Sequence, residues 1–156
     1  MTIVLGSDHA GFALRRIFAA HLVDLGHAVR EVGATDESAY DYPDAAAEVA
    51  TLLQRGEADM GILVCGTGIG MAMTANKFKG IRAATCWSVD AAKLAREHNH
   101  ANILCIGARL IEPDLAMRIL GSFLETPPSD EERHARRVGK IDALDGCEPT
   151  KAHCCG

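Results

Sequence analysis

Aromatic side chains are scarce in this 156-residue chain, at 4%, which weakens any reading built on stacking nucleic-acid bases. An excess of positive charge is missing as well. With a formal net charge of −5, no global field draws the chain to nucleic acid, although a local basic cluster can still hold a phosphate. Long hydrophobic runs are absent: apolar residues make up 48% of the sequence, yet no run nears the roughly 20 residues that a membrane span requires. The first strand-like run, Thr2-Ile3-Val4-Leu5, begins without a basic segment and apolar leader, so no secretory signal is expected. Paired Cys-x-x-Cys spacing is lacking too. Cys86 and Cys105 sit in apolar, strand-like runs where a buried thiol is ordinary, and Cys147, Cys154 and Cys155 belong to a polar tail. Neither a zinc site nor a disulfide framework is expected, and the cytoplasm is the default compartment.

What the chain does contain is alternation. Short apolar strand candidates cover Thr2–Gly6, Ala28–Val32, Met60–Cys65, Arg82–Cys86 and Asn102–Ile106. Helix candidates lie between them at Phe12–Leu25, Pro43–Gln54, Ile69–Asn76 and Val89–Glu97, followed by Pro113–Leu124. Near-continuous apolar strands between helices predict an α/β fold with a five-stranded parallel sheet covered on both faces. In the first helix, Phe12, Ile17, Leu22 and Leu25 are expected to face the sheet with Ala13 and Ala20, leaving Arg15 and Arg16 nearer solvent. Gly26 is a plausible stop for it. Pro43 and Pro113 read as helix starts, with Asp114 in the electropositive first turn.

After Leu124 the character changes. Pro127-Pro128 ends a helix, and Ser129 with Glu132 forms a capping-box pattern for a last one over about Asp130–Leu144. That helix carries Arg133, His134, Arg136 and Arg137 but few large apolar residues, so it gains little by covering its own sheet. It either packs on another subunit or faces solvent. One domain over residues 1–144 and a tail over 145–156 result, the tail without a periodic pattern.

The segment with the most chemistry is Val64-Cys65-Gly66-Thr67-Gly68-Ile69-Gly70. It joins a strand to a helix, and glycines at alternate positions let backbone amides, through Met71, turn inward around an anion. Cys65 supplies a thiol at the strand's carboxyl end, where open α/β sheets bind ligands. The spacing is neither Gly-x-Gly-x-x-Gly nor a lysine-bearing P-loop, and it lacks the Gly-x-Ser-x-Gly elbow. A thiol beside amide donors suits proton transfer next to a developing oxyanion.

Other residues gather around that edge. Gly6-Ser7-Asp8-His9-Ala10-Gly11 follows the first strand; Asp8 either caps the next helix or holds a substrate hydroxyl, and His9 is a turn residue or an anion contact. Arg109 follows the fifth strand on the same edge. Arg133 and Arg137 are four residues apart on one helical face with His134 beside them, which makes either a phosphate fork or a solvated basic patch. His98, Asn99 and His100 fall at a helix-to-strand junction, at the opposite end of the sheet from the glycine loop. For His98 to reach Cys65 the helix must be short or the strand must start late. Histidines 9, 98 and 100 lack metal-ligand spacing. Trp87 is either a partly buried aromatic sealing its loop or a wall of the pocket.

Taken together, these segments resemble the ribose-5-phosphate isomerase B family, whose relatives include isomerases of galactose and allose 6-phosphates. The resemblance spans about residues 1–144 and rests on Gly6–Gly11, Asp41-Tyr42-Pro43, Cys65–Gly70, Asn76-Lys77, Gly80-Ile81-Arg82-Ala83 and Arg96-Glu97-His98-Asn99 in that order. It implies a Rossmann-like three-layer sandwich, no metal or cofactor, and a homodimer, sometimes a tetramer, with active sites at the subunit boundary. The last helix would reach the partner subunit. Cys65 would be the base moving a proton between C2 and C1, with Thr67 assisting at the carbonyl oxygen. The amides of Gly66, Gly68, Ile69, Gly70 and Met71, with Asn99, would stabilise the enediolate. His98 would open the furanose ring and Asp8 position the sugar. His9, Arg109, Arg133 and Arg137 would bind phosphate, and Tyr42 and His134 would line the pocket. One branch of the family places a glutamate after the last loop glycine; here that position is Met71, which cannot transfer a proton, leaving Cys65 as the base. Isomerisation of ribose 5-phosphate and ribulose 5-phosphate is the expected reaction. The competing readings are an isomerase of a tetrose, allose or galactose phosphate, a non-catalytic phosphate-binding module, and a structural oligomerisation protein.

Overall fold

Each apolar run of five or six residues is too short to span a domain as a helix but long enough to cross it as a strand, and the intervening amphipathic segments cover the sheet. In the computed structural model, which describes residues 1–145, the strands are β1 (Thr2–Ser7), β2 (Ala28–Gly33), β3 (Met60–Cys65), β4 (Ala83–Thr85) and β5 (Ile103–Gly107). The helices are α1 (Phe12–Asp24), α2 (Tyr42–Gln54), α3 (Ile69–Ala75), α4 (Val89–Asn99), α5 (Pro113–Glu125) and α6 (Glu132–Asp142). The strands form one parallel sheet in the order β2-β1-β3-β5-β4. On one face Leu14, Phe18, Leu22, Ala92, Ile119 and Phe123 of α1, α4 and α5 meet Leu5, Ile62 and Leu104. On the other, Ala45, Val49, Met71 and Ala75 of α2 and α3 meet Val4, Leu63 and Cys105. The expected three-layer, Rossmann-like sandwich is therefore present. No helix among the described residues is long and apolar enough to cross a membrane.

The chain leaves β1 toward β2 on one side and returns to β3 on the other, which makes the carboxyl ends of β1 and β3 a topological switch point. Ser7, the last residue of β1, pairs with Val64, and Cys65 pairs with Gly107. The turn carrying Asp8 and His9 thus opens beside the turn after Cys65.

Several expectations need correction. The buried stripe of α1 is Leu14, Arg15, Phe18, Ala19 and Leu22, whereas Ile17 and Leu25 are 47% and 60% exposed. Arg15 is buried because it has polar work to do there. Its guanidinium donates to Val32 O at 2.6 Å and Ala34 O at 2.8 Å, and its Nε meets the Glu31 carboxylate at 3.0 Å. Neighbouring Arg16 is exposed, as expected, and also meets Glu31. The capping box of the last helix does not form: α6 starts at Glu132 with Glu131 as its N-cap, and Ser129 Oγ instead accepts the Glu131 amide at 3.2 Å. Trp87 seals nothing within this chain and is 70% exposed after β4. β4 is also shorter than the Arg82–Cys86 run suggested, because Arg82 N bonds the Asn102 side chain at 2.8 Å rather than a strand.

The last helix buries only His134 and Val138, and polar contacts fasten its two ends. His100 Nε2 donates to Ser129 O at 3.2 Å, Ser129 N donates to Glu97 O at 3.1 Å, and Arg82 pairs with Asp142 at 2.8 Å. Buried Arg96 ties the preceding linker to the core through Thr126 O at 3.2 Å and Ala101 O at 2.5 Å. Within the tail, the Asp145 carboxylate accepts the Gly80 amide at 2.6 Å; Cys147, Cys154 and Cys155 lie outside the described residues.

The Arg15 contacts make a prediction. Arg15→Met strands two buried carbonyls and should lower the unfolding free energy by about 3 kcal/mol. Arg16→Met loses only an exposed pair and should cost under about 1 kcal/mol. Urea denaturation of the two variants at one protein concentration makes the comparison, and equal midpoints would remove the proposed role of Arg15.

Candidate active site

The glycine loop is shaped by what presses on it from three sides. Gly68, the residue before α3, has φ +78, and a Cβ there would stand 3.0 Å from the Ile106 carbonyl carbon. A Cβ on Gly107 would lie 2.7 Å from the Thr67 backbone, so β5 and the loop approach as closely as they do only because both positions are bare. Gly66 O accepts the Arg109 amide at 3.1 Å, and the Arg109 side chain lies along Gly66, about 3.3–3.5 Å from where its Cβ would be. A Cβ on Gly70 would meet the Tyr42 ring at 2.6 Å. Tyr42 and Arg109 thus flank the loop from α2 and from the turn after β5.

Cys65 ends β3 and is 4% exposed. The Gly68 amide donates to its sulfur at 3.1 Å, which aims a fixed dipole at that atom. Exposed Thr67 accepts the Ile69 amide on Oγ1 at 3.3 Å. The first amides of α3 have no partner within the helix, so the backbone at Gly70 and Met71 presents donors while the Met71 side chain is buried in the core. Behind Cys65, Cys105 is fully buried, and burial, with Cys65 and Cys86 nearby, keeps its thiol protonated far above the usual range. Burial likewise pushes the Cys86 thiol up to about 12. These two thiols are apolar filling, as the sequence suggested, and Cys65 alone among the described cysteines lies at the loop.

Across the switch point, Asp8 is buried and its Oδ1 accepts the Gly11 amide at 2.9 Å. That oxygen fixes the turn ahead of α1, whose N-cap is Gly11, and the other oxygen makes no hydrogen bond among the described residues. His9 Nδ1 accepts the Tyr40 amide at 3.3 Å, which orients the ring, and Nε2 makes no hydrogen bond among the described residues. Tyr40, Thr85 and Gly107 had no place in the sequence-based site. Thr85 Oγ1 donates to Gly68 O at 3.3 Å. Strand order brings Thr85 and Gly107 to the loop, while Tyr40 reaches His9 instead.

The other expected site residues are elsewhere. α4 runs on to Asn99, and His100, at φ +49, closes it before β5 begins at Ile103. Neither condition for bringing His98 to Cys65 is therefore met. Cys65 pairs with Gly107, four residues along β5 from Ile103. At about 3.3 Å per residue, the two edges are at least 13 Å apart along the strand. His98 stacks instead on His134, with ring centroids 4.1 Å apart and an interplanar angle of 7°. Asn99, Arg133 and Arg137 are exposed on that second edge. The chain thus holds two groups: Asp8, His9, Tyr42, the Cys65–Met71 loop and Arg109 at one edge, and His98, Asn99, Arg133, His134 and Arg137 at the other.

This arrangement has known counterparts. The sequence matches the Ribose/Galactose Isomerase family over residues 3–141. The chain belongs to that family. It is 41% identical over 143 residues to the ribose-5-phosphate isomerase B of Escherichia coli K12, covering 92% of this chain and 95% of that protein. Among solved structures, the ribose-5-phosphate isomerase B of Clostridium thermocellum superposes with a TM-score of 0.90 at 44% identity, covering 92% of this chain and 97% of that one. That of Thermotoga maritima gives 0.88 at 47% identity, covering 91% and 97%.

The crowding at the loop can be checked by stability alone. Gly107→Ala must displace the Thr67 backbone and should destabilise the protein by about 2 kcal/mol or more. Gly121→Ala, inside α5 with open space around it, should instead stabilise by roughly 0.5–1 kcal/mol. Thermal melts of both variants decide, and a neutral Gly107→Ala would show that the loop and β5 are not in forced contact.

Proposed function

We infer that this chain is an aldose–ketose isomerase that interconverts ribose 5-phosphate and ribulose 5-phosphate through a cis-enediolate, with Cys65 as the base. The observation that carries this reading is the Cys65 sulfur at the switch point, with the Gly68 amide on it and Arg109 lying along the next residue. Family membership supplies the reaction class.

The reaction needs two kinds of proton movement. First the cyclic aldose opens: the C1–O4 bond breaks, the O1 hydroxyl gives up its proton and O4 receives one. His98 takes this step as general acid–base. Asp8, through its free oxygen, holds a sugar hydroxyl. Then the Cys65 thiolate removes the proton from C2, the electron pair forms the C1–C2 double bond, and negative charge develops on O1. Amides of the Gly66–Met71 loop and the Asn99 side chain receive that charge. Such fixed donors stabilise it better than reorganising water does, each at about 3 kcal/mol. Thr67 moves the hydroxyl proton from O2 to O1, and Cys65 returns its proton to C1, which leaves the ketose. Cation and imidazole donors from His9, Arg109, Arg133 and Arg137 hold the phosphate, with Tyr42 walling the pocket.

Residues on two edges of one sheet cannot act on one sugar. The reading therefore includes a second copy related by a two-fold axis, which brings His98, Asn99, Arg133 and Arg137 of one chain to the Cys65 loop of the other. The exposed apolar side chains around the loop suit such a contact: Ile69 is 50%, Met73 65%, Trp87 70% and Leu110 69% exposed.

Cys65→Ala should abolish aldose–ketose conversion while leaving phosphate-sugar binding largely intact. Binding is followed by thermal shift, and turnover is compared across a panel of pentose and hexose phosphates. Full turnover in that variant would remove Cys65 from its role, and preference for a hexose phosphate would move the substrate assignment.

Sharing of the site has its own test. Cys65→Ala and His98→Asn are each expected to be inactive. Co-refolded in equal amounts, they should recover about a quarter of wild-type activity, since half the dimers are mixed and each mixed dimer has one intact site of two. No recovery, with mixed dimers verified by mass, would mean that both residues act from one chain.

A further inference from the structure

His134 is the least explained polar group among the described residues. Its ring is 3% exposed, and neither Nδ1 nor Nε2 has a hydrogen-bond partner. The nearest carboxylate oxygen, on Glu131, is 3.9 Å from Nε2 and is already engaged by Arg133 Nε at 2.6 Å. An orphaned buried imidazole needs a reason. The His98 ring supplies one, lying parallel to it at 4.1 Å. Half-buried His98 sits on the last turn of α4, where its side chain has no hydrogen bond among the described residues to fix its plane. His134 is the flat surface against which that plane is set.

We propose that His134 is a positioning residue for ring opening: it acts as a stacking plate that fixes the His98 imidazole, and it does not bind the substrate phosphate. This rests on the isomerase reading above. The electrostatics agree with the geometry. Burial holds His134 below the ordinary histidine range, and His98, Arg133 and Arg137 push it in the same direction, against the weaker pull of Glu131. A shift in this direction makes His134 a poorer ligand for an anion such as phosphate.

The chemistry of the two pentose phosphates gives a test that separates positioning from binding. Ribose 5-phosphate reacts from a closed furanose, so its turnover needs ring opening. Ribulose 5-phosphate has its O5 blocked by phosphate and stays open-chain, so exchange of its C1 proton with deuterated solvent needs only the Cys65 step. With the plate removed, His134→Ala should slow turnover from ribose 5-phosphate on the order of 10- to 100-fold, and slow deuterium exchange into ribulose 5-phosphate far less, with KM for both changing little. His134→Phe restores a flat ring in the same slot without ring nitrogens, and it should recover most of the lost turnover. The proposal is overturned if Phe is as damaging as Ala while KM rises for both sugars, because that is the pattern of a lost phosphate ligand. It is equally overturned if Ala slows turnover and exchange to the same extent, or slows neither. Wild-type protein that shows neither turnover nor exchange would instead remove the isomerase reading itself.

Discussion

In a parallel sheet every strand-to-helix turn falls on one edge and every helix-to-strand turn on the other. That separation divides the candidate site residues of this protein. Asp8, Cys65 and Arg109 each follow a strand and so share an edge; His98 and Asn99 end α4 ahead of β5 and cannot join them. No side-chain rotamer bridges such a gap, and the backbone that sets it is the core of the domain. A single chain therefore carries two separate groups, and the proposed reaction needs a second copy to bring them together.

Within the first group, close approach of backbones sets the geometry. β5 and the loop after β3 touch through Gly107 and Thr67, and through Gly68 and Ile106. That contact turns the Gly68 amide back onto the Cys65 sulfur. Arg109 is placed by the same turn, since its amide and that of Ala108 bond the carbonyls of Gly66 and Cys65. A thiol and a guanidinium thus come from two strands whose pairing fixes their spacing. In the second group the fastening is polar: Ser129 and His100 pin the start of α6, and Arg82 with Asp142 pins its end. A helix held this way can keep its arginines exposed.

The fold and most of the loop-side residues were legible in the chain because they depend on local order. Met60–Cys65 was read with its observed ends, since an apolar run stops where Gly66 begins. Errors arose where a residue's role depends on a distant partner. The α1 stripe was rotated because Ile17 and Leu25 look like core residues by hydropathy, while Arg15 does not; only the carbonyls of Val32 and Ala34, displayed by the end of β2, make a buried guanidinium favourable. Trp87 looked like a seal by its area alone, yet the short β4 leaves it at an open edge. Ser129 matched a capping pattern, but its backbone was already committed to α4.

Composition and periodicity were enough to define a layered α/β domain with a thiol in a glycine-rich turn, because strand length, helix stripes and turn residues act within a few positions of one another. The order of the strands, the crowding that makes Gly107 and Gly70 necessary, the burial of Arg15 and the stacking of His98 on His134 came from the folded arrangement alone. Each depends on contacts between segments far apart in the chain, and such contacts follow from how whole elements pack, which no short window of residues encodes.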